Sequence, residues 1–513
     1  MTTSSTTTTE SAKTWTTREN IRGSSLLTLG KLPTKLINFL TQVLTAHYLT
    51  KGDFGAFAYA LAIAAFTQTV VTFGLNRSVT RYIPIYHERG EYQKIFGTLV
   101  LVAGTVLSLS ALAVVGLHLG GDLIRAQIEP QTYAVLMILI FLAPLQALDD
   151  TLVGMLAVFG AAKQILVRKH VLAPLLSLAV ILGVMAGGLS VLSLAYGMLL
   201  SAALGIAIFL GVLKRIMRDQ GVLEHWDRKS VNVPFREVMT FTVPLLTNDL
   251  LYASIGAMGV VMLGHFHDAT RVADLRVVLP LALMNQIVMN SFGILFTPMA
   301  SRLFAREDDE GINAFYWQTA VCVAVFSLPI FLLTFSCAAP LVRLIYGDRY
   351  ADSGLILAIL SIGYYFNAAL GFNGVTLKVY GRLKYIVTIN LGAIAACFAA
   401  SWLLIPSYGA IGAAAATGST LIVHNLLKQV GLHRATSVDP LDRGYLSVYG
   451  WIVLAVLATL LPQWMLPLHP AVSVVLALAV SLAVLRRTRH ALALSETFPE
   501  VARLPVLRSL LAT

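Results

Sequence analysis

Charge is scarce in this sequence. Asp, Glu, Lys and Arg make up 12% of its 513 residues, against ~25% in a soluble domain, and the mean hydropathy is +0.76. Apolar runs of 18 or more residues recur along the whole length, which excludes a water-soluble protein and predicts an all-α polytopic membrane protein. Cysteine is nearly absent. Cys322, Cys337 and Cys397 each sit inside an apolar run with no Cys or His at ligand spacing, so they read as small buried hydrophobes, with neither metal nor disulfide implied. The N-terminal stretch is polar and Thr-rich. It lacks an apolar h-region and a small-residue cleavage site, so residues 1–22 read as a disordered cytosolic tail rather than a signal peptide. No polar segment is long enough to fold alone. The longest candidate, 214–236, falls well short of the ~40 residues below which isolated domains need staples, and this weighs against an enzyme that hangs a catalytic domain on the membrane. Catalytic signatures are missing too: there is no HExxH, no GxSxG and no nucleotide loop. GAIGAAAATG from Gly409 lacks the Lys-Ser/Thr of a phosphate loop and lies in an apolar run, where small residues let helices approach closely. No catalytic residue and no metal ligand is expected.

What is present is organised by the bilayer. About fourteen spans are predicted, near 26–49, 55–77, 95–118, 133–156, 170–188, 192–213, 239–263, 272–297, 315–338, 354–377, 385–405, 409–428, 446–466 and 470–486. Lys and Arg alternate strongly between the two sets of connections. One set, with both tails, holds 29 of the 37; the other holds Lys51, Arg125, Arg271, Arg276, Arg343 and Arg349, and the remaining two, Lys31 and Lys35, lie in the first span. This bias, and not nucleic-acid binding, accounts for the net charge of +11, and it places both termini in the cytosol. A weak repeat recurs at an offset of about 214 residues. PIYHERG at Pro84 matches PMASRLF at Pro298, each expected to follow the second helix of a six-helix set. An even number of helices per repeat gives both halves the same orientation, a plan used by alternating-access transporters. The predicted organisation is a tail (1–22), an N-lobe of six helices (23–214), a cytosolic linker (215–235), a C-lobe of six (236–430), two additional helices (446–487) and a cytosolic tail (488–513).

Polar residues at membrane depth carry the functional signal, because lipid penalises them by ~2.5–3.5 kcal/mol for a charge at a helix centre. The first span, LLTLGKLPTKLINFLTQVLTAHYL, carries Lys31 and Lys35 on one helical face. Two readings stand for each: the side chain snorkels to the interface, or it lines a watery cavity with an anionic partner. Lys35, one turn deeper, is harder to place by snorkelling. Asp249, in PLLTNDLLYAS, lies near the middle of the seventh span, either as a structural hydrogen-bonded group or as a carrier of H⁺ or Na⁺. Asp149 and Asp150 in the fourth span point about 100° apart, so one can face the lumen while the other bonds a neighbouring helix. Arg77 follows Asn76 at the predicted end of the second span, as a member of the positive belt or as a lumenal cation. Arg276 lies one turn into the eighth span on the less basic side, where the belt explains it poorly. If these cations share a lumen, it is positive and suits phosphate or carboxylate. Tyr364, Tyr365, Asn367 and Asn373 in the tenth span offer stacking and hydrogen bonds to sugars, or simply pack helices.

Four stretches also carry a family resemblance: HYLTKGDFGAFAYALAIA at the first junction, FGLNRSVTRYIP, LVRLIYGDRYADSGLILAILSIG and LIPSYGAIGAAAATG. Together they resemble the Wzx-type polysaccharide flippases, of the superfamily that also holds lipid II flippases and MATE drug exporters. The resemblance implies two six-helix lobes in a MATE-like arrangement. It also implies translocation of an undecaprenyl-pyrophosphate-linked oligosaccharide across a bacterial inner membrane, with the polysaccharide polymerase and export machinery as downstream partners. Lipid II flippases place cations on the first, second and eighth helices, where Lys31, Lys35, Arg77 and Arg276 fall here, two of them Lys rather than Arg. The last helix pair resembles the pair that forms a lipid-tail groove in those flippases. No cofactor is implied beyond H⁺ or Na⁺ coupling. The rival readings are a MATE-like cation-coupled drug antiporter, a lipid II flippase and a membrane polymerase or ligase; the last needs a large outer loop, and none is present.

Overall fold

The computed structural model of the protein describes residues 33–492 apart from 220, 226–230, 437, 440, 441, 443, 467 and 468. The N-terminal tail, Lys31 and the C-terminal segment beyond Leu492 therefore lie outside the described residues. The described chain is helical throughout, with no strand. Among the described residues, twelve helices are long and apolar enough to cross a membrane. One of them, Leu383–Ala435, runs for 53 residues and is two helices joined at a non-helical Gly409 (φ 53°, ψ −129°). Only glycine adopts that backbone at little steric cost, and the carbonyl of Ile405 just before it is met by the ring of His267 at 2.8 Å. Divided there, and with the shorter helix at 33–48 added, the helices number fourteen.

Connections are short and capped. The first and second spans are joined at residues 49 and 50, where the Thr50 hydroxyl accepts the amide of Asp53 and starts the helix Lys51–Thr72. Asp268 caps the eighth span through the Arg271 amide, and Asp308 caps the ninth through that of Gly311. Several spans run longer than their hydropathy suggests. The second reaches Glu88 and the eighth reaches Ala305, so Pro84 and Pro298 stand inside helices and not in the loops after them. Hydropathy falls off there because the last turns are amphipathic, carrying Arg77, Arg81 and His87 in one case and Arg302 in the other. The fourteenth helix likewise continues to Leu492.

Packing divides the chain into two units, Met1–Ala257 and Met258–Thr513. The division falls inside the seventh span, Phe235–Phe266, and not in the basic segment 215–235. The first half of that span is stitched to the second span: Ser78 bonds Thr242, the Tyr82 hydroxyl donates to the Glu237 carbonyl at 3.1 Å, and the Tyr86 hydroxyl donates to the Glu237 carboxylate at 2.7 Å. Asn232 donates to the Gln93 carbonyl at 3.2 Å beside Gly97, where any Cβ would run into the Asn232 backbone. The apolar core of the first unit gathers Val79, Ile83, Phe96, Leu156 and Phe209.

In the second unit, Trp317 and Tyr316 are fully buried, and Phe296 is stacked between Phe315 and Phe372. Lipid gives no hydrophobic incentive for helices to associate, so close backbone approach matters more. The tenth and twelfth spans touch at Gly363 and Gly418, where a Cβ on Gly363 would come within 2.6 Å of the Gly418 Cα. All three cysteines are buried in this unit.

Candidate functional site

The site begins with a break in the second span. Phe73 and Gly74 both adopt left-handed backbone (φ 51° and 68°), ending one helix at Thr72 and starting the next at Leu75. Irregular backbone inside a membrane protein is tolerated where it lines a cavity, and a hollow of about 350 Å³ opens here. Arg77 stands one turn beyond the break. One of its nitrogens donates to an Asp249 carboxylate oxygen at 2.6 Å and the other to the Leu245 carbonyl at 3.4 Å. The pair is not sealed away: 40% of the Arg77 side chain and 28% of Asp249 remain accessible. Asp249 sits at the middle of the 32-residue seventh span, as its place in the sequence predicts.

The far wall of the hollow is Asp150. It accepts the Gln68 amide and the Lys169 ammonium, both at 2.8 Å. Its neighbour Asp149 turns the other way, into a smaller cavity of about 180 Å³ lined also by Gln146, Ser177 and Ser201. There it pairs with Arg168, with Lys169 at 3.8 Å. Arg168 lies on a π-helical turn, Leu166–Leu172, that interrupts the fifth span. It is buried, donates to the Gly205 carbonyl at 3.1 Å and covers the ring of Phe209 at 4.3 Å. Gly205 has no Cβ, and one would strike the guanidinium. The adjacent carboxylates thus diverge as helix geometry requires, one toward each cavity.

Three expectations are corrected. Arg77 is not at the end of its span, since eleven further residues reach Glu88. Arg168 and Lys169 fall in the connection between the predicted spans 133–156 and 170–188, but they lie inside the fifth span, Ala162–Ala186, and neutralise Asp149 and Asp150. Around the first hollow, the positive character expected of the cations is balanced by carboxylates. Gln68, Thr72 and Asn76 join the lining and are not singled out by the sequence, because polar uncharged residues in a span carry a weak signal.

Lys35 is exposed on the 33–48 helix, next to Thr34, whose hydroxyl donates to the His170 carbonyl at 2.9 Å. Arg276 is half-buried in the second unit, in electrostatic contact with Tyr364. Nearby Asp274, which the sequence does not single out, is buried and accepts the Ser353 hydroxyl at 3.1 Å. The aromatic and amide residues of the tenth span are packing groups. Tyr365 stacks on Phe331 at 4.1 Å and donates to the Ala324 carbonyl, and Asn367 and Asn373 are joined through Asn425.

This architecture is that of the MurJ and MATE transporters. The chain superposes on "Lipid II flippase MurJ, inward closed conformation" with a TM-score of 0.72 at 13% identity, over 91% of this chain and 99% of that one. An inward-facing multidrug resistance MATE family transporter of the MOP superfamily matches with a TM-score of 0.63 at 12% identity, over 78% and 95%. The polysaccharide biosynthesis protein family matches residues 21–304, more than half of the sequence, and the chain belongs to that family. The capsular polysaccharide biosynthesis protein CapF of Staphylococcus aureus is 22% identical over 180 residues, 35% of this chain; the match spans less than half (46%) of CapF.

Proposed function

We propose that the protein carries undecaprenyl-pyrophosphate-linked oligosaccharide repeat units across a bacterial inner membrane by alternating access, for surface or exopolysaccharide assembly. In this reading both termini face the cytosol, as the Lys and Arg distribution favours, and the polymerase and export machinery act on the product. One observation carries the reading: a half-exposed guanidinium, Arg77, at a broken helix beside an open polar hollow. Guanidinium binds phosphate oxygens through paired, charge-assisted hydrogen bonds. Arg77 takes the pyrophosphate, with Lys31, Lys35 and Arg276 as the further cations assigned to the cargo.

The ion pair gives the cycle its order. Without cargo, Asp249 holds Arg77. An arriving pyrophosphate competes for the same N–H groups and displaces the carboxylate. The released Asp249 then takes up H⁺ or Na⁺, which couples cargo to the ion. Asp149 and Asp150, already paired with Arg168 and Lys169, are weaker candidates for that coupling.

The test is deletion of the gene and complementation with Lys35→Ala, Arg77→Ala, Arg276→Ala and Asp249→Asn. The expected outcome is loss of surface polysaccharide in the deletion, failure of the variants to restore it, and unchanged drug resistance. Intact polysaccharide with lost drug resistance transfers the protein to the cation-coupled exporters.

A further inference from the structure

We propose that the hollow between Arg77 and Asp150 is a sugar subsite that reads the hydroxyls of the monosaccharide joined directly to the pyrophosphate. The inference rests on the flippase reading above and deepens it. The sugar's anomeric oxygen is bonded to phosphorus, so a phosphate held by Arg77 fixes the first ring within a few bond lengths of that guanidinium. The hollow lies there, and at about 350 Å³ it is of the size of small-molecule sites.

The lining decides what fits. The hydroxyl hydrogens of Thr69 and Thr72 are committed to helix carbonyls, on Ala65 at 3.1 Å and Gln68 at 2.7 Å, so both oxygens present lone pairs. Gln68 donates its amide to Asp150, which leaves its carbonyl as an acceptor. Asp150 and Asp249 are acceptors at any pH where they are ionised. Asn76, whose amide oxygen accepts the Arg77 backbone N–H at 2.9 Å, adds amide donors to those of Arg77, and the rest of this wall is rich in acceptors. Phosphate and carboxylate oxygens are acceptors themselves and are repelled by it. Sugar hydroxyls donate, and are matched by it. A free metal cation or amine also likes acceptors, but Asp150 has its counter-charge in Lys169, and Asp249 has Arg77 before the pyrophosphate arrives and the single coupling ion afterwards. A neutral polyhydroxylated ring satisfies the acceptors without adding charge.

The test uses the full-length protein in nanodiscs and two probes, undecaprenyl pyrophosphate and the same lipid carrying one hexose on the pyrophosphate. The variants are Thr69→Val and Thr72→Val, which keep shape and remove an acceptor from the wall. The expected result is binding of the hexose-bearing lipid weakened about fivefold by each change, with binding of bare undecaprenyl pyrophosphate unaltered. The bare lipid thereby also reports that the variants are folded. Equal loss of both probes makes the hollow a phosphate site and overturns the proposal. No change in either overturns it too, as does an effect that appears only when Na⁺ is varied. Failure of the unaltered protein to bind either lipid instead removes the flippase reading itself.

Discussion

At the scale of single residues, the fifth span holds an informative ion pair. Arg168 is buried beside Asp149, with its side chain 9% accessible and that of Asp149 16%. Removing one partner of a buried pair strands a charge and costs about 3–5 kcal/mol, while replacing both with apolar groups of similar size is often close to neutral. Arg168→Met alone is therefore expected to lower the unfolding temperature in detergent markedly, moderated by Lys169 at 3.8 Å from the same carboxylate. Arg168→Met with Asp149→Leu is expected to recover most of the loss. If the double variant is as unstable as the single one, the pair is not the source of the stability. Asp249 is legible in the sequence because a lone carboxylate in a long apolar run has few innocent explanations. Its partner is not, because Arg77 lies 172 positions away and beside a motif that looks like a span end. Arg168 and Lys169 are illegible for another reason: they stand at the edge of an apolar run, and whether such an edge is loop or helix depends on packing that hydropathy does not measure.

At the scale of elements, helix breaks and close approaches do the positioning. The left-handed pair Phe73–Gly74 is invisible in the sequence, since a Phe with positive φ has no composition signature. The small-residue run after Gly409 predicts that helices come together, and Gly363 against Gly418 is such a meeting. Gly363→Ala places a methyl group against backbone that has no side chain to move aside. A destabilisation of about 1–3 kcal/mol follows from overpacking of this kind, measurable as a drop in unfolding temperature. Gly392, where an added Cβ would meet nothing within 4 Å, is the control at which alanine is expected to be tolerated. Two prolines teach the complementary lesson. Pro84 and Pro298 stand where hydropathy fades, and each reads as a terminator, yet tertiary support carries the helix past both.

At the scale of the whole molecule, most of the plan can be read from the chain: fourteen spans among the described residues and a fold like that of the MurJ and MATE structures. Hydrophobic length is imposed by the bilayer and leaves a plain trace in the sequence. The boundary between the packed units is not legible in the same way. It falls in the middle of an uninterrupted helix, where composition does not change. The chemistry of the hollow is only partly legible, because cations announce themselves in a sequence while their counter-charges from other helices do not.

The burial of Cys322, Cys337 and Cys397 has a practical consequence for following the protein in motion. In the folded protein, membrane-impermeant maleimides are expected to leave all three thiols untouched and to modify them only after denaturant is added, as counted by intact mass. Rapid labelling of the native protein would mean that this half of the molecule breathes open. A silent background of this kind lets a single engineered thiol, fitted with a fluorophore or a spin label, report its motion without stripping out the native sulfur atoms first.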